Sequence, residues 1–204
     1  MSRPKSFDEH ETLGRIGELF WEQGFAATAI DQICALVALK KTSIYNAYGD
    51  KANLFRKVVD WYITDMLTQA GEFLRGTAPV SQELAELIRH FTVVPEQDVV
   101  SRGCLITNAM LELRHSEPEL YDYVRERFQR VPDALTAYLA AAQQAGTLDE
   151  NTEPAELSAF VMTVFQGMRV QTRVHNDMAH RERIIELAMA PIKAVERQSR
   201  NSTH

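Results

Sequence analysis

The sequence predicts an all-α fold of about nine or ten helices. Apolar residues recur at i, i+3, i+4 and i+7 through most segments, and no stretch alternates apolar and polar as a half-buried strand would. The breaks between periodic segments carry helix punctuation: glycine after an end, and Ser, Thr or Asp before a start. No internal repeat or low-complexity segment interrupts the pattern.

Taken in order, Leu13, Ile16, Gly17 and Phe20 form one narrow face of a first helix, and Gly24 stands where its C-terminus needs a positive φ. Thr28 is placed to cap a second helix, with Ile30, Ile33, Cys34 and Val37 facing inward. A third short helix follows a turn at Ala38–Leu39. Asp50 opens a long fourth one with Leu54, Val58, Trp61 and Tyr62 on one side. Further helices are expected near 81–94, 103–114, 117–130, 132–145, 154–175 and 180–198. Ser81 is a candidate cap, and Pro118 sits in a first turn. Gly146 closes a helix, and Glu153 and Glu156 stand near a positive helix end. Pro132 and Pro191 are each expected to break or kink the helix they fall in. Helices lengthen after Asp50, which suggests a three-helix head over residues 1–50 and a larger helical body over 51–204.

Composition sets the boundaries. The 204 residues are 45% apolar, enough for a folded core. No apolar run approaches the ~18 residues of a membrane span. Charges in the first twenty residues break any leader-like apolar stretch. Cys34 and Cys104 lie far apart without a CxxC pattern, so free thiols in a cytoplasm are expected. The six histidines include no i, i+4 pair, no Cys/His cluster is present, and neither GxSxG nor a P-loop occurs. Neither a metal, a cofactor nor an enzyme activity is therefore expected.

The net charge of −6 excludes a surface coated in basic groups, yet it hides a local feature. Between Leu39 and Lys57 stand Lys40, Lys41, Lys51, Arg56 and Lys57 against Asp50 alone, a balance of +4 that leaves −10 for the rest. Two short helices separated by a few residues have the length of a helix-turn-helix, whose second helix enters the DNA major groove. Lys40, Lys41 and Lys51 can meet phosphate. Thr42 and Ser43 allow close approach, Tyr45 offers a hydroxyl to phosphate, and Asn46 can read a base edge. Ile44 anchors the helix inward. Tyr48 is a further aromatic candidate on this helix, or a brace for the head. Any one of these residues suits an ordinary solvated helix; their order carries the signal.

The segment resembles the N-terminal region of the tetracycline-repressor (TetR) family of bacterial transcription regulators. The resemblance rests on Gly24-Phe25, Thr28, the run Lys41, Ser43, Ile44, Tyr45 and Tyr48, and Lys51 with Leu54-Phe55, over about residues 10–56. It implies an all-helical homodimer with the third helix of each head in one half of a palindromic operator. Thr28, Tyr45 and Lys51 would meet phosphate, and Lys41, Thr42, Ser43 and Asn46 would lie on the recognition helix. Three positions depart from the family. Ala38 stands where the turn usually has glycine, which would cost roughly 1 kcal/mol in a left-handed turn and so suggests a different turn shape. Lys40 replaces a common Ser or Thr cap. Asp31 stands where a basic residue is frequent.

Family logic makes the body a receptor whose small-molecule effector releases DNA. Candidate effector contacts are Trp61, Met66, Phe73, Phe91, Leu105, Asn108, Met110, Phe128, Phe165, Gln166, Met168 and Arg169, each of which also suits plain core packing. Cys104, beside Gly103 and Arg102, can serve as a sensing thiol or as a small packing residue. Stripes at Leu157, Phe160, Val161, Val164, Phe165 and Met168, and at Ile184, Ile185, Leu187, Ala188, Ile192 and Val195, suit a four-helix dimer interface near 154–175 and 180–198. The rival is an all-helical small-molecule-binding or adaptor protein with a degenerate head.

Overall fold

Asp8 opens the first helix. Its carboxylate accepts from the amides of His10 at 2.9 Å and Glu11 at 3.2 Å. The structure, a computed structural model, describes residues 8–92, 102–172, 174 and 177–197. Helix α1 (Glu9–Gln23) buries the expected Leu13, Ile16, Gly17 and Phe20, then stops at Gly24 with φ +84°. Helices α2 (Ile30–Val37) and α3 (Lys41–Tyr48) complete the head, and α4 (Lys51–Phe73) begins directly after Asp50. Asp50, expected just before this helix, accepts from the Asn53 amide at 2.7 Å. There follow α5 (Val80–Thr92), α6 (Leu105–Ser116), α7 (Pro118–Gln144), α8 (Pro154–Gln171) and α9 (Met178–Val195). Among the described residues the sole extended pairing is one bridge between Leu148 and Glu196. No described helix is long and apolar enough to cross a membrane.

The chain packs as two compact units: Met1–Met66 with Cys104–Gln129, and Leu67–Gly103 with Arg130–His204. Helices α4 and α7 contribute to both. In the first unit an aromatic trio closes the head, with Phe20 edge-on to Phe55 at 4.9 Å and Phe25 edge-on to Phe55 at 5.3 Å. The second unit is centred on Leu84, Ile88, Leu139, Val161, Ile185 and Ile192, drawn from α5, α7, α8 and α9.

One helix boundary and one cap need correction. The segments expected at 117–130 and 132–145 are one helix with Pro132 inside it. Proline removes the amide donor that would have reached the Phe128 carbonyl, and the Pro132 carbonyl itself accepts from Thr136 Oγ1 at 2.8 Å and Ser158 Oγ at 3.0 Å. Pro191 also lies within a continuous helix. The bond it forfeits would have reached the carbonyl of Leu187, a residue 75% exposed, where solvent can substitute. Ser81 lies inside α5 rather than capping it. Its amide and hydroxyl instead donate to the Glu196 carboxylate at 2.6 and 2.9 Å, so an acid distant in sequence sits at the positive helix end. Residues 93–94, 173, 175 and 198, at the ends of three expected helices, lie outside the described residues.

Candidate nucleic-acid interface

Helix α2 buries Ile33, and α3 buries Ile44 and Tyr48, so each short helix turns one face inward. Between them Ala38 adopts φ 54° and ψ 36°, the left-handed conformation. The turn therefore keeps the shape that glycine usually supports, and the expected change of shape does not occur. The amides of Ala38 and Leu39 both point to the Cys34 carbonyl, closing the end of α2. Lys40 occupies the N-cap of α3 without a side-chain bond to it, as its replacement of Ser or Thr implies.

This geometry divides the candidates. Lys40, Lys41, Thr42, Tyr45 and Asn46 are exposed, and Ser43 is half-buried. They form the outward face of α3, opposite Ile44 and Tyr48. Lys41 Nζ lies 3.0 Å from Asp31 Oδ1, across the turn. The hydrogen bond and charge of Asp31 hold the Lys41 ammonium above its usual value.

Three candidates are placed otherwise. Thr28 is fully buried, and its hydroxyl donates to the Gly24 carbonyl at 2.6 Å, so it neither caps α2 nor reaches phosphate. The cap position belongs to Ala29, whose amide donates to Gln32 Oε1 at 2.8 Å. Tyr48 is a brace: burial, with the Glu9 carboxylate adding, pushes its phenol up to about 12. Lys51 Nζ donates to the carbonyls of Phe25 at 2.8 Å and Thr28 at 3.0 Å and sits 4.5 Å from the Phe25 ring centroid. Its charge is committed to the loop between α1 and α2.

The same loop is gripped from the other side by a residue that the sequence did not disclose. Glu112, on α6, accepts from the amides of Phe25 at 2.9 Å and Ala26 at 2.7 Å. A Cβ built on Gly24 would stand 2.7 Å from the Glu112 carboxylate, at a φ of +84°. Glycine is required there twice, for conformation and for space. Lys51 holds the carbonyls of this loop and Glu112 holds its amides, so together they set where α2 begins.

The effector candidates divide between the units. Trp61, Met66, Cys104, Leu105, Asn108, Met110 and Phe128 lie in the first. Trp61 serves the head, because a Cβ at Gly14 would lie 3.1 Å from its ring and His10 packs edge-on at 5.6 Å. Met66 and Leu105 are buried. Cys104 is buried at the N-cap of α6, which agrees with its packing role. In the second unit Phe73, His90, Phe91 and Phe165 form a chain of ring contacts at 4.8, 4.9 and 6.0 Å. Met168 is core there, and Gln166 is half-buried. Arg169 is buried, donates to the Gly103 carbonyl at 2.7 Å and lies over the Phe165 ring. Among the described residues no group of three or more His, Cys, Asp or Glu side chains could hold a metal.

Comparison with known proteins agrees with this geometry. Residues 17–58 match the model of bacterial regulatory proteins of the tetR family, and residues 81–188 match the tetracyclin repressor-like C-terminal domain. The transcriptional repressor ComR of Escherichia coli is 23% identical over 187 residues, covering 91% of this chain and 88% of its own. The regulator CifR, solved with a 26 base-pair operator duplex, superposes with a TM-score of 0.77 at 24% identity, covering 94% of this chain and 99% of its own. FadR of Bacillus subtilis, solved with stearoyl-CoA, superposes with a TM-score of 0.69 at 16% identity, covering 90% and 98%. With a family model over more than half its length and a helix-turn-helix at its head, this chain belongs to the tetracycline-repressor family of transcription regulators.

Proposed function

We propose that the chain acts in the cytoplasm as a homodimeric repressor that lays α3 in the major groove of a palindromic operator and leaves it when a small molecule binds the body. The family is one of regulators rather than enzymes. The carrying observation is the outward face of α3: Lys40, Lys41, Thr42, Tyr45 and Asn46, all exposed, on a helix anchored by Ile44 and Tyr48. Lysine and tyrosine there suit phosphate, and asparagine suits the N6/N7 edge of adenine.

The dimer surface lies on the outer faces of α8 and α9. Val161, Phe165 and Met168 of the first expected stripe are spent on the subunit's own core. What remains outward is Phe160, Gly167 and Val170 on α8, with Leu187, Ala190, Pro191 and Ala194 on α9. Those α9 positions recur at i, i+3, i+4 and i+7, and their size suits close helix packing. The effector is a small molecule received by the body, as the stearoyl-CoA complex of FadR supports.

Fluorescence anisotropy with duplexes from the region flanking the chain's own gene tests this reading. A bound duplex is expected, with affinity falling steeply between about 50 and 200 mM salt. Asn46→Ala should weaken operator binding by ~1–3 kcal/mol while leaving random-sequence binding unchanged. Absence of any duplex binding at the low-salt end overturns the proposal.

A further inference from the structure

Asp31 is the sole acidic residue from Ile30 through Gly49, the span that holds both helices of the helix-turn-helix. It stands in the first turn of α2 with its side chain 77% exposed, and its carboxylate is 3.0 Å from the ammonium of Lys41, the first residue of α3. An exposed ion pair of this kind contributes little to folding. Its position matters more, because a surface that must approach a polyanion carries a fixed negative charge, and that charge holds one of its own lysines.

Phosphate oxygens, guanine O6 and N7, adenine N7 and thymine O4 are all acceptors, and a carboxylate is repelled by each. The major groove offers carboxylates one unencumbered donor, the N4 amino group of cytosine; the adenine amino group donates too, but beside the N7 acceptor. We infer that Asp31 is a specificity-determining residue: it withholds Lys41 from phosphate on arbitrary sequence and accepts the N4 amino hydrogen of a cytosine in each operator half-site. This rests on the DNA-binding reading above. Sequence-independent binding is then lower by one phosphate contact per head than the lysine count suggests, and a carboxylate facing anything but cytosine lowers it further.

The test uses the full chain, a random-sequence duplex and a selection from a randomised duplex library. Asp31→Asn keeps the shape of the side chain and Asp31→Ala removes it; circular dichroism melting of both establishes that the head is folded, and the Asn variant decides if the Ala variant melts early. Both should bind the random duplex about three- to ten-fold more tightly than the wild type, with the salt slope steeper by about 0.9 for each head engaged. Asp31→Ala combined with Lys41→Ala should lose the added slope, because the added contact belongs to Lys41. In the selection, the wild type should enrich cytosine at one position of each half-site, and Asp31→Ala, which removes the acceptor, should lose that preference alone. Unchanged affinity and slope in the Asp31 variants, added slope that survives the Lys41 substitution, or the same cytosine preference in Asp31→Ala would each overturn the inference. Failure of the wild type to bind any duplex at low salt is a separate result and removes the DNA-binding reading itself.

Discussion

Replacing Ala38 with glycine should make the protein more stable, against the usual direction for an added glycine. Ala38 is the sole non-glycine residue with positive φ among the described residues, at φ 54°. A residue with a Cβ pays roughly 1–2 kcal/mol in this region, because the Cβ crowds the following carbonyl. Glycine does not, but its freer unfolded chain returns roughly 0.4–1 kcal/mol of that gain. The methyl group of Ala38 is exposed, so its removal forfeits no packing. The net effect is a stabilisation of about 0.5–1 kcal/mol. For a chain of this length 1 kcal/mol moves the melting point by about 2–4 °C, so the variant should melt about 1–4 °C higher. Thermal and urea unfolding followed by far-UV circular dichroism read this directly, with an unchanged urea m-value showing that the unfolded state is comparable. A variant that melts at or below the wild type would refute the reasoning, because the left-handed turn would then carry no strain.

Glu112→Ala removes a charged acceptor from two loop amides and should destabilise the head by about 2 kcal/mol, with hydrogen exchange at the Phe25 and Ala26 amides speeding up more than in α1. Glu83 is buried and collects the amides of Gly76 and Thr77 at 2.9 Å, that of Ala78 at 3.1 Å and the Tyr138 hydroxyl at 2.8 Å. Burial pushes its carboxyl up, but these four donors together outweigh burial and hold it below the usual 4.5. A depressed carboxyl stabilises fully above the unfolded value and loses that contribution as pH falls through the folded one. Glu83→Gln should therefore lower stability near neutral pH, and its deficit in urea unfolding should shrink below about pH 4. Phe160→Lys with Leu187→Lys, at positions 39% and 75% exposed, should turn a dimer into a folded monomer in light scattering without lowering helix content.

Much of the fold was legible because helix formation is written locally. The buried face of α1, the stop at Gly24 and the start at Asp50 each follow from spacing and residue type, and all three agree with the structure. Pro132 misled as a boundary because a helix can run through a proline when tertiary packing holds the segments on both sides. The Pro132 carbonyl is held in part by Ser158, twenty-six residues away. The dimer stripes were half legible: the pattern marks both helices as apolar, but Phe165 and Phe160 differ in whether the subunit's own core has already claimed them.

The candidate interface divides along the same line. Residue types between Lys40 and Asn46 are enough to mark a face with the chemistry for DNA contact, since hydroxyls, an amide and lysines at helical spacing have that chemistry wherever the helix lies. Sequence alone also placed the Ala38 departure and the unusual acid at Asp31. Only the folded chain decided how the polar groups are spent. Thr28 and Lys51, phosphate contacts by resemblance, are turned onto the carbonyls of Gly24, Phe25 and Thr28. Lys41 is turned onto Asp31, and Glu112 reaches amides eighty-seven and eighty-six residues earlier in the chain. A side chain's chemistry is a property of the residue, but its partner is a property of distance, and distances between remote residues exist only once the core has packed.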